Sequence, residues 1–164
     1  MEFEVVGSRD RVGWVEPCTS LFLGKTDCSL VCSRQDCPVT ESVIHRWITT
    51  CESLRILRVS GSLIGFATLS RQECALQPHE IEACHLYIDP KARKQYFGSQ
   101  LLLSLQRDAK SLGYRRLVGR VARGNDACAA MLSRLSWQHV ANQGLFVCDD
   151  PVTWYERNLM DASF

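Results

Sequence analysis

The segment Leu86-Tyr87-Ile88-Asp89-Pro90-Lys91-Ala92-Arg93-Lys94-Gln95-Tyr96-Phe97-Gly98-Ser99-Gln100-Leu101-Leu102 constrains the fold more than any other part of this chain. An apolar strand pattern ends at Ile88, a basic turn follows, and an amphipathic helix begins at Gly98. A strand that feeds a helix and returns to a strand predicts a βαβ unit inside a mixed sheet. The turn is also suited to an anion. The first turn of a helix has backbone N–H groups without intrahelical acceptors, and the helix dipole adds partial positive charge there. Lys91, Arg93 and Lys94 add full charges. Phosphate or pyrophosphate is the natural guest.

The remaining elements fall into place around this unit. Phe3–Val6 reads as a first strand. Residues 7–39 resist assignment because Gly7, Gly13, Pro17, Gly24 and Pro38 interrupt them, although Cys18–Leu23 and Cys28–Cys32 fit helical turns. Thr40 reads as an N-cap with Glu41 in the first turn. Val43, Ile44, Trp47, Ile48 and Cys51 share one face of the helix that follows, which should end near Glu52. Leu54–Val59 and Leu63–Ser70 form a hairpin across Ser60-Gly61-Ser62, and Glu80–Ile88 is a third long strand. In the helix Ser99–Leu112, Leu101, Leu102, Leu105, Ala109 and Leu112 line one face, and Arg107, Asp108 and Lys110 the other. Gly113 ends it. Arg116–Ala122 is a strand, Asn125 or Asp126 caps a helix to about Ser136, and His139–Cys148 with Val152–Leu159 close as two strands. No repeat or linker divides the 164 residues, so one domain over 1–164 is expected.

The motif residues resemble the acyl-CoA loop of the GNAT superfamily of N-acetyltransferases. Ile88, Pro90, Arg93, Gly98 and Leu101-Leu102 fall in register with its V-x-P-x-x-R-G-x-G-x-G pattern and leucine-rich helix. The family's core Q/R-x-x-G-x-G/A stands here as Arg93-Lys94-Gln95-Tyr96-Phe97-Gly98. Tyr96 occupies a glycine position at which the backbone approaches the pyrophosphate. The element order matches the family's fold as well. The resemblance therefore implies a mixed α/β (α+β) architecture, a central twisted sheet of six to seven strands flanked by helices. It covers about Leu54 to Leu159 and is weak over 7–53.

The resemblance implies acetyl transfer from acetyl-CoA to a primary amine by direct attack in a ternary complex, without a metal. The backbone of Leu86, Tyr87 or Ile88 would hold the thioester carbonyl and pair with the pantetheine arm. Arg93, Lys94, Gln95, Tyr96, Phe97, Gly98, Ser99 and Gln100 would cradle the pyrophosphate. For the base, Glu80, Glu82 and His85 lie on one strand. Glu80 has the spacing from Arg93 found in the histone-acetylating branch. Alternation places Glu80 and Glu82 on one face and His85 on the other. The family's later motif, N-x-x-A-x-x-L/F-Y-x-x-x-G-F, is met by Asn125, Cys128, Leu135 and Trp137. Leu132 stands at the tyrosine that serves as general acid, and Ser136 at the glycine. Ser133 or solvent would then supply the proton, and Asn125 would cap its helix and touch the pantetheine. The two departures, Tyr96 and Leu132, open a second reading, a degenerate domain that works as a binding or interaction module.

Composition bounds the partners. The net charge of +1, with 46% hydrophobic and 23% charged residues, gives no electrostatic support for nucleic acid or membrane binding. The N-terminus has no signal pattern, so a cytoplasmic protein is expected. Acidic Glu16, Asp27, Asp36, Asp149 and Asp150 suit a cationic acceptor: a protein lysine, a protein N-terminus, a polyamine or an aminoglycoside. Arg115, Arg116, Arg120 and Arg123 suit the CoA 3′-phosphate, an acidic partner or a solvated strand end. Trp154 and Tyr155 read as core or as a homodimer contact. The nine cysteines, among them Cys18, Cys28, Cys32 and Cys37, lack zinc-site spacing and read as free thiols.

Overall fold

The computed structural model describes residues 2–6, 10–22, 39–71, 77–122, 124–140 and 152–160. Seven strands make one sheet in the order β1-β2-β3-β4-β5-β7-β6. They are β1 (Glu2–Val6), β2 (Ser53–Val59), β3 (Ser62–Ser70), β4 (Glu80–Ile88), β5 (Arg116–Ala122), β6 (Gln138–Val140) and β7 (Val152–Asn158). The helices are α1 (Val15–Phe22), α2 (Glu41–Thr50), α3 (Phe97–Ser111) and α4 (Asp126–Arg134). Neighbouring strands are antiparallel except β4 and β5, which run parallel and are joined through α3. This is the expected βαβ unit.

Local signals explain the helices. Thr40 caps α2 by accepting from the Val43 amide at 3.4 Å, and Ile44, Trp47 and Ile48 are buried. α3 buries Leu101, Leu102, Leu105 and Ala109, each leucine contributing roughly 1.5–3 kcal/mol. It ends in a left-handed Gly113, whose N–H bonds the Lys110 carbonyl while Tyr114 bonds Ala109, both at 3.0 Å. α1 is longer than the sequence suggested. Pro17 reads as a breaker, but it lies in the first helical turn, where its missing N–H has no intrahelical acceptor to lose. α4 stops at Arg134 rather than Ser136, because Ser136 turns left-handed. The stretch Cys28–Cys32, most of the strand expected up to Cys148, and the Asp149-Asp150-Pro151 turn lie outside the described residues.

The sheet has an apolar layer on each face. One, beneath α3 and α4, is aliphatic and includes Leu57, Leu69, Ile81, Ile88, Leu101, Leu105 and Leu117. The other, beneath α1 and α2, gathers Phe22, Trp47, Phe66 and Tyr87 with Ile44 and Leu54. Asp108 does not lie on a solvated face of α3 as its position suggested. It accepts from Ser53 Oγ at 2.8 Å, from Arg55 Nε at 2.6 Å and from a second Arg55 nitrogen, fastening α3 to β2.

β4 carries one irregularity that matters below. Thr68 is opposite Cys84 and Phe66 is opposite Tyr87, so two steps along β3 match three along β4. The extra residue is a bulge, and His85 takes it up with a left-handed φ of 50°. Gly65 is required on the facing strand, since a Cβ there would lie 2.7 Å from the Tyr87 carbonyl oxygen. The bulge also corrects the expected facing of His85. Ile81, Ala83, Leu86 and Ile88 meet the aliphatic layer, while His85 stacks on Trp47 in the aromatic layer. His85 therefore shares its face with Glu80 and Glu82.

Candidate functional site

The β4–β5 ladder holds for only three pairs, Glu80↔Arg116, Ile81↔Leu117 and Glu82↔Val118. Beyond it β4 stays with β3 as far as Ile88↔Gly65, and β5 stays with β7 as far as Ala122↔Val152. The two central strands thus part in the middle of the sheet, and their facing backbone edges no longer pair with each other. Asp89 donates to the Ile64 carbonyl at 2.8 Å, on the β3 side. By alternation Ile88 and Leu86 turn their N–H groups toward the gap, while Tyr87 turns its own to β3. On the aliphatic face the start of the gap is floored by Trp137, whose ring is 3.4 Å from the place a Gly119 Cβ would occupy.

The basic turn follows directly on the end of β4 that has left β5. Asp89 Oδ1 accepts from the Lys91 amide at 2.9 Å. Arg93 Nε donates to the Ile88 carbonyl at 3.0 Å, and its guanidinium lies 5.7 Å from the Tyr87 ring. Lys94, Gln95 and Tyr96 are exposed, and Phe97, Gly98, Ser99 and Gln100 are half-buried. Lys94 and Tyr96 both take a left-handed φ of 63°, and Tyr96 caps α3. A left-handed residue followed by a helical one turns successive N–H groups inward, a concavity that suits an anion. Gly98 sits under α4, since a Cβ there would be 3.3 Å from Met131 Sδ.

The proposed acid–base residues have distinct surroundings. Glu80 accepts from Arg116 and from the Gln77 amide, each at 2.9 Å, and Arg116 also reaches Glu156 at 3.4 Å. Glu82 is buried and accepts from Arg120 at 2.6 and 3.1 Å. His85 is buried on the bulge with Nδ1 2.8 Å from Thr68 Oγ1, and its ring lies 4.0 Å from that of Trp47, nearly parallel. Asn125 caps α4 by accepting from the Cys128 amide at 3.2 Å. Leu132 is buried in the aliphatic layer. Ser133 is exposed and donates to the Ala129 carbonyl at 3.0 Å. Burial pushes the Cys128 thiol up to about 11, so it stays protonated and is not a nucleophile at neutral pH.

Glu80, Glu82, His85, Leu86 and Ile88 thus meet along one strand beside the turn, and Gly98 meets Met131 of α4. Arg116 and Arg120 were open as a phosphate site or a solvated strand end. The structure instead places them on the two glutamates. Thr68 and Trp47 meet His85 and so join the candidate site, which the motifs did not reveal; only their place on the inward faces of β3 and α2 marked them. Tyr155 belongs to the aliphatic layer, and Trp154 lies beside Arg120 with its ring 5.9 Å from the guanidinium. Arg123, Asp27, Asp36, Asp149, Asp150, Cys28, Cys32 and Cys37 lie outside the described residues. Among the described residues no group of His, Cys, Asp and Glu is placed to hold a metal, and no helix is long and apolar enough to cross a membrane.

A family model described as Acetyltransferase (GNAT) family matches residues 23–137. The fold is similar to that of an N-acetyltransferase from Staphylococcus aureus Mu50, with 23% identity, 97% of this chain and 99% of that one covered, and a TM-score of 0.67. It is similar to a ribosomal-protein-alanine N-acetyltransferase from Brucella melitensis, with 14% identity, 96% and 99% covered, and a TM-score of 0.69. A third similar structure is the PaiA N-acetyltransferase of Thermoplasma acidophilum in complex with coenzyme A, with 15% identity, 96% and 99% covered, and a TM-score of 0.69. No curated protein matches this chain by sequence.

Proposed function

The chain belongs to the GNAT acetyltransferase family, and from that premise we propose that it moves an acetyl group from acetyl-CoA to a primary amine by direct attack in a ternary complex. The observation that carries this reading is the parting of β4 and β5 directly beside the basic turn. It joins an anion cradle to a slot between two strands whose shared ladder has ended. The N–H groups that Tyr96, Phe97, Gly98 and Ser99 present suit the pyrophosphate, the Gln100 N–H being taken at 3.0 Å by the Tyr96 carbonyl, and Lys91 and Lys94 add charge beside it. Leu86 and Ile88 turn N–H groups into the gap, where they can bond the pantetheine amides and the thioester carbonyl as it gains charge. The related structure from Thermoplasma acidophilum holds coenzyme A, which supports the same guest here.

The acceptor amine enters from the face of Glu82 and His85, and it must lose a proton to attack. Glu80 and Glu82 are each engaged by an arginine, so either would have to part from its guanidinium to accept one. His85 heads this reading as the base: a neutral imidazole has a ring nitrogen that can accept a proton, and Thr68 and Trp47 fix the ring. Leu132 cannot protonate the leaving thiolate, and Ser133 or solvent does so. The acceptor is a lysine, a chain N-terminus or a small cationic amine.

Calorimetric titration with acetyl-CoA and CoA tests the reading first. Micromolar binding that weakens about tenfold in Lys91→Glu/Lys94→Glu supports it, since both side chains are exposed and the variant keeps the fold. No binding by the wild type sinks the enzyme reading and leaves the interaction module. With an acceptor in hand, His85→Gln should lower kcat about 100-fold and leave the CoA affinity unchanged.

A further inference from the structure

The Glu82–Arg120 pair occupies a singular place in the sheet. Glu82 is opposite Val118 in the register, yet its carboxylate reaches past that position to Arg120, two residues along β5. Glu82↔Val118 is the last pair of the β4–β5 ladder, so this bridge spans the strands where the backbone stops doing so. Its side chains are only 3% and 13% exposed, and it is closed by two bonds. Arg120 is held from its other side as well. It faces Trp154 in the β5–β7 register, and its guanidinium lies beside that ring. The neighbouring pair, Glu80–Arg116, has the same chemistry without this position. It joins direct register partners inside the ladder, and Arg116 is 43% exposed and shared with Glu156.

We propose that the Glu82–Arg120 pair is a strap that sets the width of the gap between β4 and β5 and so positions the pantetheine arm. This rests on the reading of the gap as the CoA slot. Past the strap each strand is fixed to its outer neighbour, β4 to β3 and β5 to β7. Nothing else among the described side chains ties the two across the gap on this face by an ion pair. Trp137 fills the floor opposite, so the start of the gap is bounded from both faces. A two-point guanidinium–carboxylate contact fixes both distance and angle, which a single bond or an apolar contact does not. Glu82 is then a positioning residue rather than the base.

The test compares CoA with ADP, which has the pyrophosphate and no pantetheine arm. Both are titrated into wild type, Glu82→Met/Arg120→Met and Arg120→Lys, with thermal melts to confirm folding. Replacing both partners by apolar side chains avoids a buried unpaired charge. The double variant should bind CoA about tenfold or more weakly and ADP within about twofold of wild type, because only the arm is misplaced. Arg120→Lys, which keeps the charge and loses the two-point contact, should fall between, and it stands in if the double variant does not fold. Unchanged CoA affinity overturns the strap, as does an equal loss for both ligands. Failure of wild type to bind CoA at all overturns the slot and the strap together.

Discussion

Beneath α3 and α4 the sheet meets mostly leucine and isoleucine, with Ser104 and Gln106 of α3 buried beside them and the Arg55–Asp108 tie at the margin. Beneath α1 and α2 it meets aromatic rings, and buried among or beside them are Arg11, Thr68, Glu82 and His85. A buried polar group destabilises unless its bonds are made, and a buried charge does so more strongly. Each of these has partners: Arg11 donates to the Cys51 carbonyl and, at 2.9 Å, to that of Glu52. Thr68 meets His85, and Glu82 meets Arg120. The first face gains its stability mostly from aliphatic side chains. The second commits specific groups to specific places along the strand that parts from β5.

Substitutions can sharpen this contrast. The largest loss of stability is expected on the aliphatic face, where Leu101→Ala should cost about 3–4 kcal/mol in urea denaturation without altering the site chemistry. Asp108→Ala should cost about 2–3 kcal/mol, because it strands Arg55 and Ser53 together. Retained stability in Arg55→Met/Asp108→Met would show that packing, not the ion pair, fastens α3, and a matching loss would credit the pair itself. Tyr96→Gly reverses the sign. A left-handed residue other than glycine costs about 1–2 kcal/mol, and glycine's added freedom in the unfolded chain returns about half of that. A net gain of about 0.5–1 kcal/mol in the melt is expected, with CoA binding retained or tighter. A drop in CoA affinity would give the exposed Tyr96 ring a part in binding.

The smallest contrast lies in the thiols. Burial pushes Cys18 up to about 12 and Cys128 up to about 11, and Cys51, despite the Arg11 charge, up to about 11. These raised values favour the neutral thiol in the folded state. They add stability below the ordinary thiol value of 9.0, and it is lost as pH rises through about 11 to 12. Alkylation of the native protein at pH 8 should spare all three. Rapid labelling of Cys128 at that pH would mean that α4 opens away from the sheet.

The local features of the fold were legible in the sequence. β4 runs over the very residues its apolar run marked, the Thr40 cap starts α2, and Gly113 ends α3, because each rests on neighbours in the chain. The basic turn was legible for the same reason, with Pro90, Arg93 and Gly98 within one short stretch. What alternation misplaced was His85, because a bulge is settled by the fit of β3 against β4, through Gly65, and leaves no mark in β4 alone. The partners of Glu80, Glu82 and Asp108 were hidden too. Arg116, Arg120 and Arg55 reach them from distant parts of the chain, and a charged residue on a strand looks solvated until its neighbour strand is known.

Counted by length rather than by shape, β4 contains one residue more than its ladder needs. Removing His85 would leave Cys84, Leu86, Tyr87 and Ile88 alternating regularly, each on the face it already occupies. The left-handed kink would vanish, and Trp47 and Thr68 would lose the ring they now meet. The regular ladder does not require His85, and what the residue adds to the chain is its ring against Trp47 and its bond to Thr68 on the aromatic face.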